Sequence, residues 1–308
     1  MAESSTKFIL HRGEEQMKDT GTLTLDQRTP VKATRGRAKR VLPGFRITMG
    51  LTLAYLILMV LVPLAGVGIR ASALGWRQFG AIASGARVLA SLRISFGASL
   101  VASIINIFFG AIVAWVLVRY KFAGRKILDA LVDIPFALPT AVAGIALTAL
   151  YSSHGWIGKW LAPFGVRIAY TPLGIVVALC FVGLPLVVRS IQPVLQEFDP
   201  ELEEAATVLG AGRGETFRRV ILPELLPAIL TGFALSMARA VGEYGSVVFI
   251  SGNLPMRTEI APLLIITKLD QYDYAGATVI ATIMLVLSFT VLLGINLSQH
   301  WRRRANAV

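Results

Sequence analysis

The sequence is short of the residues on which most soluble domains depend. It contains one cysteine, Cys180, which excludes an internal disulfide framework and any CxxC metal or redox motif. Only 16% of its 308 residues are charged, against roughly 25% in average globular chains, and that excludes an ordinary soluble domain. Acids are scarcer than bases, 18 against 30, leaving a net charge of +12. Of the three histidines, His154 reads as an inert loop residue. No phosphate loop is present: Gly80 to Gly85 has the right gap but continues Ala86-Arg87, and Gly210-Ala-Gly212-Arg-Gly214 has Glu215 where a dinucleotide fingerprint needs glycine. The chain is apolar instead, 55% hydrophobic with a mean hydropathy of +0.67, which also excludes disorder.

Long apolar runs predict six spans, at about 48 to 69, 92 to 118, 129 to 151, 171 to 190, 227 to 250 and 275 to 298. Positions 1 to 47 form a polar tail. Its one early apolar cluster, Phe8-Ile9-Leu10, is too short for a secretory signal, and Glu3, Glu14, Glu15, Asp19 and Asp26 argue against an organelle transit peptide. The tail turns purely basic after Asp26, as a segment meeting anionic headgroups of the lipid bilayer does. Lys and Arg are held on the cytoplasmic side during insertion. Twenty-one of them lie in the N-terminal tail, the second and fourth loops and the C-terminus, against seven in the odd loops. Both termini are therefore expected in the cytoplasm. The positive charge is topological, and no nucleic acid partner is expected.

The one long loop on that side runs from 191 to 226 and holds seven of the eighteen acids. Asp199 suits an N-cap and Pro200 the first helical position, while Glu201, Glu203 and Glu204 favour the positive end of a helix dipole. Leu202, Ala205, Ala206 and Leu209 then form one apolar stripe, and Gly210 ends the helix as a residue able to take positive φ. A second short helix presents Phe217, Val220 and Ile221 before Pro223 stops it. So short a hairpin is ordered only by packing. Either the protein's own surface or a soluble partner subunit supplies that packing; small Ala205 and Ala206 allow close approach.

Within the predicted spans, Arg239 and Glu243 are the costliest residues and share one helical face at i, i+4 spacing. Arg239 falls about 18 Å along its span at 1.5 Å per residue. The two either line a water-filled path for an anion or form a structural ion pair. Asp129 and Asp133 suit a helix N-terminus, and Asn106 an interhelical hydrogen bond.

The loop also carries a resemblance. Glu204-Ala205-Ala206, three residues, Gly210, nine residues, Val220, one residue and Leu222-Pro223 resembles the E-A-A-x3-G-x9-I-x-L-P loop of ATP-binding-cassette (ABC) importer permeases, with valine in place of isoleucine. The resemblance implies an all-α, six-helix, type I ABC importer permease fold whose coupling loop, 191–226, seats in a separate ATPase subunit. Glu204, Ala205, Ala206, Gly210, Val220, Leu222 and Pro223 are then the coupling positions. The chain itself would be no enzyme, with no catalytic residue, no metal and no cofactor of its own; ATP and Mg would be used by the partner.

Finer similarity comes from VLPGFRITMGLTLAYL at 41 to 56, PFALPTAVAGIALTALY at 135 to 151, RAVGEYGSVVFISGN at 239 to 253 and MRTEIAPLLIITKLDQYDYAGATVIA at 256 to 281. These stretches resemble the T-type permease subunits of bacterial sulfate and thiosulfate importers, over about 41 to 296. The arginine and the Gly242-Glu243-Tyr244-Gly245 turn also resemble related oxyanion permeases, including those for molybdate. The resemblance implies a heterodimer with a paralogous W-type permease, an ABC ATPase dimer, a periplasmic or extracellular sulfate-binding protein, and a place as a multi-pass protein of the bacterial inner (plasma) membrane. The expected organisation is a basic tail at 1–47, a permease domain at 48–300 with its core at about 88–297, and a short tail at 301–308. A self-contained secondary transporter or channel is the alternative of another class, although no inverted repeat is evident.

Overall fold

The computed structural model describes residues 45–305, so the tail expected at 1–47 lies outside the described residues except for its last three positions, as do 306–308. Every regular element among the described residues is helical. The chain divides into two units between Tyr55 and Leu56. The described part of the first belongs to α1 (Phe45–Leu56), whose described side chains are all exposed.

In the second unit, Leu56 is followed by a five-residue π segment, Ile57–Leu61, and α2 (Val62–Ala73). The Val62 N–H donates to the Ile57 carbonyl, a wider turn than the α form, directly before Pro63. Proline lacks an N–H and its ring crowds the preceding turn, and the extra residue relieves that crowding. The same device recurs at Phe217–Ile221, where the Leu222 N–H donates to the Phe217 carbonyl before Pro223. Pro223 therefore does not stop a short helix, as the sequence suggests. The helix runs through it from Arg213 to Val241, 29 residues in all.

Five helices are long and apolar enough to span a membrane: Ile47–Ala73, Ala86–Arg119, Pro172–Glu197, Arg213–Val241 and Tyr274–Leu297. The span expected at 129 to 151 is a broken pair, α5 (Arg125–Ala137) and α6 (Thr140–Tyr151), bent by 113°. Leu138 is extended, with ψ of 135°, because the residue before a proline is driven from the helical region. Counting that pair as one span gives the expected six. The remaining elements of eight residues or more are the amphipathic α3 (Trp76–Ala83), α4 (Ala86–Arg119), α7 (Pro172–Glu197), α8 (Pro200–Val208), α9 (Leu222–Val241), α10 (Ala261–Asp270) and α11 (Tyr274–Ala305).

Helices α4, α7 and α9 form the centre. One face of α4 carries Ser91, Ser95, Ser99, Ser103 and Asn106, all buried. Small side chains let membrane helices approach closely, and their polar atoms bond across the gap. The Ser95 hydroxyl accepts the Ala261 N–H at the start of α10, at 2.7 Å. Asn106, with its amide oriented to satisfy both ends, donates to the Cys180 carbonyl of α7 and accepts from Ser236 of α9, at 3.1 and 3.2 Å. Gly183 stands beside both: a methyl group there would lie 2.5 Å from the Asn106 amide and from the Ser236 hydroxyl.

The span expected to end at 190 continues to Glu197, because the charge of Arg189 is matched rather than solvated. Its Nε and Nη2 donate to Asp133 at 3.0 and 2.5 Å, and Nη1 donates to Asp129 at 2.6 Å. This cluster ties α7 to α5. Elsewhere Arg87 of α4 pairs with buried Glu259 just before α10, at 2.7 Å.

Candidate functional site: an uncovered helix and an intramembrane ion pair

The segment between α7 and the long helix containing α9 holds α8, and its ends form as the sequence dictates. Asp199 Oδ1 accepts the Glu201 N–H at 3.0 Å, and Pro200 takes the first position. At the other end Gly210 has φ of +85°. There the Ala211 N–H reaches the Ala206 carbonyl and the Gly210 N–H the Thr207 carbonyl, each at 3.0 Å. These two bonds satisfy carbonyls the helix would otherwise leave open. The result is a stiff, closed rod of nine residues.

Much of α8 lies open. Glu204, Ala205 and Gly210 are exposed and Ala206 is half-buried. Val208 and Leu209 are 86% and 87% exposed, and Leu202 about half. The apolar stripe expected of this helix is therefore left largely uncovered by the described residues. Val220 packs into the protein's own core beside Ile221 and Leu225, Leu222 is half-buried, and Pro223 is exposed after the π turn. The sequence motif thus divides into an outward part, 204 to 210, and a part that shapes the next helix.

Five residues outside the motif positions hold α8 and its flanks. Glu203 pairs with Arg119, the last residue of α4. The Arg119 guanidinium lies over the rings of Trp115 and Phe198, at 5.1 and 5.6 Å from their centroids. Trp115 also meets Phe217 edge to face at 5.7 Å. Arg119 carries no sequence signal beyond its charge, since its partner stands 84 residues away.

The second candidate lies at the end of α9. Arg239 is in the last turn, but Glu243 lies beyond the helix, which stops at Val241 rather than continuing to 250. Arg239 Nη1 is 2.6 Å from Glu243 Oε2. The other carboxylate oxygen accepts from both the N–H and the hydroxyl of Ser246, each at 2.9 Å. Glu243 is only 2% exposed, whereas the Arg239 side chain is 40% exposed. The turn 242 to 246 sits directly on the start of α6. A methyl group on Gly245 would lie 2.1 Å from the Thr140 hydroxyl, and one on Gly144 would lie 2.4 Å from the Ser246 carbonyl. The breaks in two interrupted helices therefore meet beside the ion pair, an arrangement that transporters use to bring irregular backbone and charge to a substrate path. No cluster of metal-ligating residues is present among the described residues.

An uncovered helix between two long spans and a charge pair at a helix break define a membrane transport component. Residues 106–304 match the binding-protein-dependent transport system inner membrane components, and the chain belongs to that family. Its relatives narrow the class. It is 46% identical over 262 residues to the sulfate transport system permease protein CysT of Salmonella typhimurium, covering 85% of this chain and 95% of that one. It is 50% identical over 253 residues to the CysT protein of Synechocystis, covering 82% and 88%. Among solved structures, the fold matches a bacterial ABC transporter involved in import of the acidic polysaccharide alginate, with a TM-score of 0.68 at 14% identity, covering 83% of this chain and 96% of that one. It also matches the bacterial alginate transporter in complex with its alginate pentasaccharide-bound periplasmic protein, with a TM-score of 0.69 at 17% identity, covering 85% and 94%. These two structures share the type I permease fold that the loop motif implies.

Proposed function

We propose that this chain is the membrane-spanning permease subunit of an ATP-driven importer for sulfate and thiosulfate. The observation that carries the reading is α8, capped at both ends and presenting Glu204, Ala205 and Leu209 without cover from the other described residues. A short helix built this rigidly and left this open is suited to seat in a cleft of a soluble subunit. Such a subunit closes on ATP and Mg and moves the rod, and the attached spans then rock between outward and inward access. Hydrolysis belongs to that ATPase dimer, and this chain has no catalytic residue or cofactor of its own.

In this reading α8 and both termini lie in the cytoplasm of a bacterium, with the chain in its inner membrane. A paralogous W-type permease completes the path, and an external binding protein delivers the anion. The names of the curated relatives support sulfate as the cargo. Arg239, with Glu243 behind it, is the intramembrane cation best placed to meet that anion.

The test is radiolabelled sulfate uptake in a bacterium lacking its own sulfate permeases, supplying this chain with its partner subunits. Uptake is expected with the wild type, and Glu204→Ala is expected to lower it by about tenfold or more with the protein still inserted. Uptake of molybdate but not sulfate would keep the permease and replace the cargo. Normal uptake by Glu204→Ala would remove α8 as the coupling element.

A further inference from the structure

The docking reading leaves open how movement of α8 reaches the spans. Most of its surface is uncovered by the other described residues, and Val208 and Leu209 touch few of them. A rod held only by its covalent ends would swivel under load rather than transmit it. Among the described residues, one ion pair ties the rod to a long span. Glu203, one residue from Glu204 and on a different side of the helix, reaches the Arg119 guanidinium at the end of the 34-residue α4.

We propose that Arg119 is a positioning residue for energy coupling, clamping α8 to α4 through Glu203 so that displacement of the rod is delivered to the centre of the permease. The proposal rests on the coupling role of α8 given above.

Three features suit Arg119 to this work. Its guanidinium is stacked on Trp115 of its own helix and on Phe198, which joins α7 to α8. Trp115 in turn contacts Phe217 in the turn that leads from the loop back to α9. The chain running into the loop, the rod itself and the chain running out of it thus converge on two neighbouring side chains of α4. Arginine suits such a site better than lysine, because its planar group stacks and still presents donors at its edge. The Arg119 Nε–H finds no acceptor among the described residues, so stacking and Glu203 hold the group. The far end of the connection is firm. Leu117 and Ala114, two and five residues back, are fully buried in one cluster with Val187 and Ile191 of α7, so α4 and α7 move together.

The experiment uses the whole transporter, purified with its partner subunits and reconstituted into vesicles with binding protein outside and ATP inside. Sulfate accumulated per ATP hydrolysed is measured for wild type, Arg119→Ala, Glu203→Gln, their double variant and Glu204→Ala. Arg119→Ala and Glu203→Gln are each expected to lower that ratio by about tenfold with the ATPase still copurifying, the upper range for residues that touch neither ligand. The double variant should lose no more than the worse single, because both remove one interaction. Wild-type ratios in the singles, or losses that multiply in the double, overturn the proposal. Loss of the ATPase from the Glu203→Gln complex also overturns it, since the pair would then serve docking. Should Arg119→Ala fail to insert, Glu203→Gln on the partly exposed rod decides alone. The two readings separate at Glu204→Ala. If that substitution has no effect the docking reading fails and this one falls with it, whereas a defect there beside unaffected Arg119 and Glu203 variants defeats only the clamp.

Discussion

Gly183 of α7 passes so near Asn106 of α4 that there is no room for a side chain between them; an added methyl group would stand 2.5 Å from the amide. Ser236 of α9 closes the third side at the same distance. Gly183→Ala must therefore push three helices apart or break the hydrogen bonds of Asn106. A cost of about 1 to 3 kcal/mol is expected, typical of overpacking a dense core. Thermal unfolding in detergent checks it: the variant should insert normally and unfold at lower temperature, while Gly97→Ala, where added bulk meets nothing within 4 Å, should not.

The Arg239 and Glu243 pair is asymmetric, and its variants should be too. Arg239→Ala strands a carboxylate that is 2% exposed, with Ser246 its one remaining partner among the described residues. Glu243→Gln keeps an amide oxygen that still accepts from the partly exposed Arg239. The first is expected to cost about 2 kcal/mol, below the usual figure for a broken buried pair because Arg239 is not fully buried. Combining the two should be milder than Arg239→Ala alone. Unfolding measurements on the three variants report this, and a double variant worse than both singles would contradict it.

Asp273, just before α11, gives a pH signature. The Lys268 ammonium, donating at 2.8 Å, and then the Gly276 N–H hold its carboxyl below the ordinary value. A carboxyl lowered on folding contributes stability fully above its unfolded value, near pH 4, and that contribution is lost as the pH falls through the lower folded value. Asp273→Asn should therefore unfold at lower temperature than wild type at pH 7, and the gap should close as the solution is made acidic beyond about pH 4. A gap that stays constant with pH would assign the effect to packing.

Much of this architecture is written locally in the chain. The ends of α8 follow from Asp199, Pro200 and Gly210, because capping is settled within a few residues. The break in the third span was less legible. Its apolar run extends from 134 to 151, and hydropathy records composition without direction; Pro135 and Pro139 both stand in it, yet the helix runs through the first and breaks only before the second, with a bend of 113°. The serine repeat at 91, 95, 99 and 103 is a helical stripe visible in the sequence, and it marks the inner face of α4. The pairs that organise the ends of the helices are not visible. Arg189 meets Asp133 across 56 positions and Arg87 meets Glu259 across 172, distances at which only the fold brings charges together. The motif in the loop pointed to Glu204 but gave no sign of Glu203, whose partner is set by where α4 ends.

The π turn at Phe217–Ile221 also fixes an angle. Each residue of a helix advances the chain by about 100° around its axis. One surplus residue therefore sets the azimuth at which everything before it leaves the helix that becomes α9. Deleting a single residue there would restore ordinary hydrogen bonding yet turn the preceding segment, α8 included, by more than a quarter of a revolution. The direction in which Glu204 faces is thus chosen a dozen residues downstream, by the one place where the helix is wound too wide.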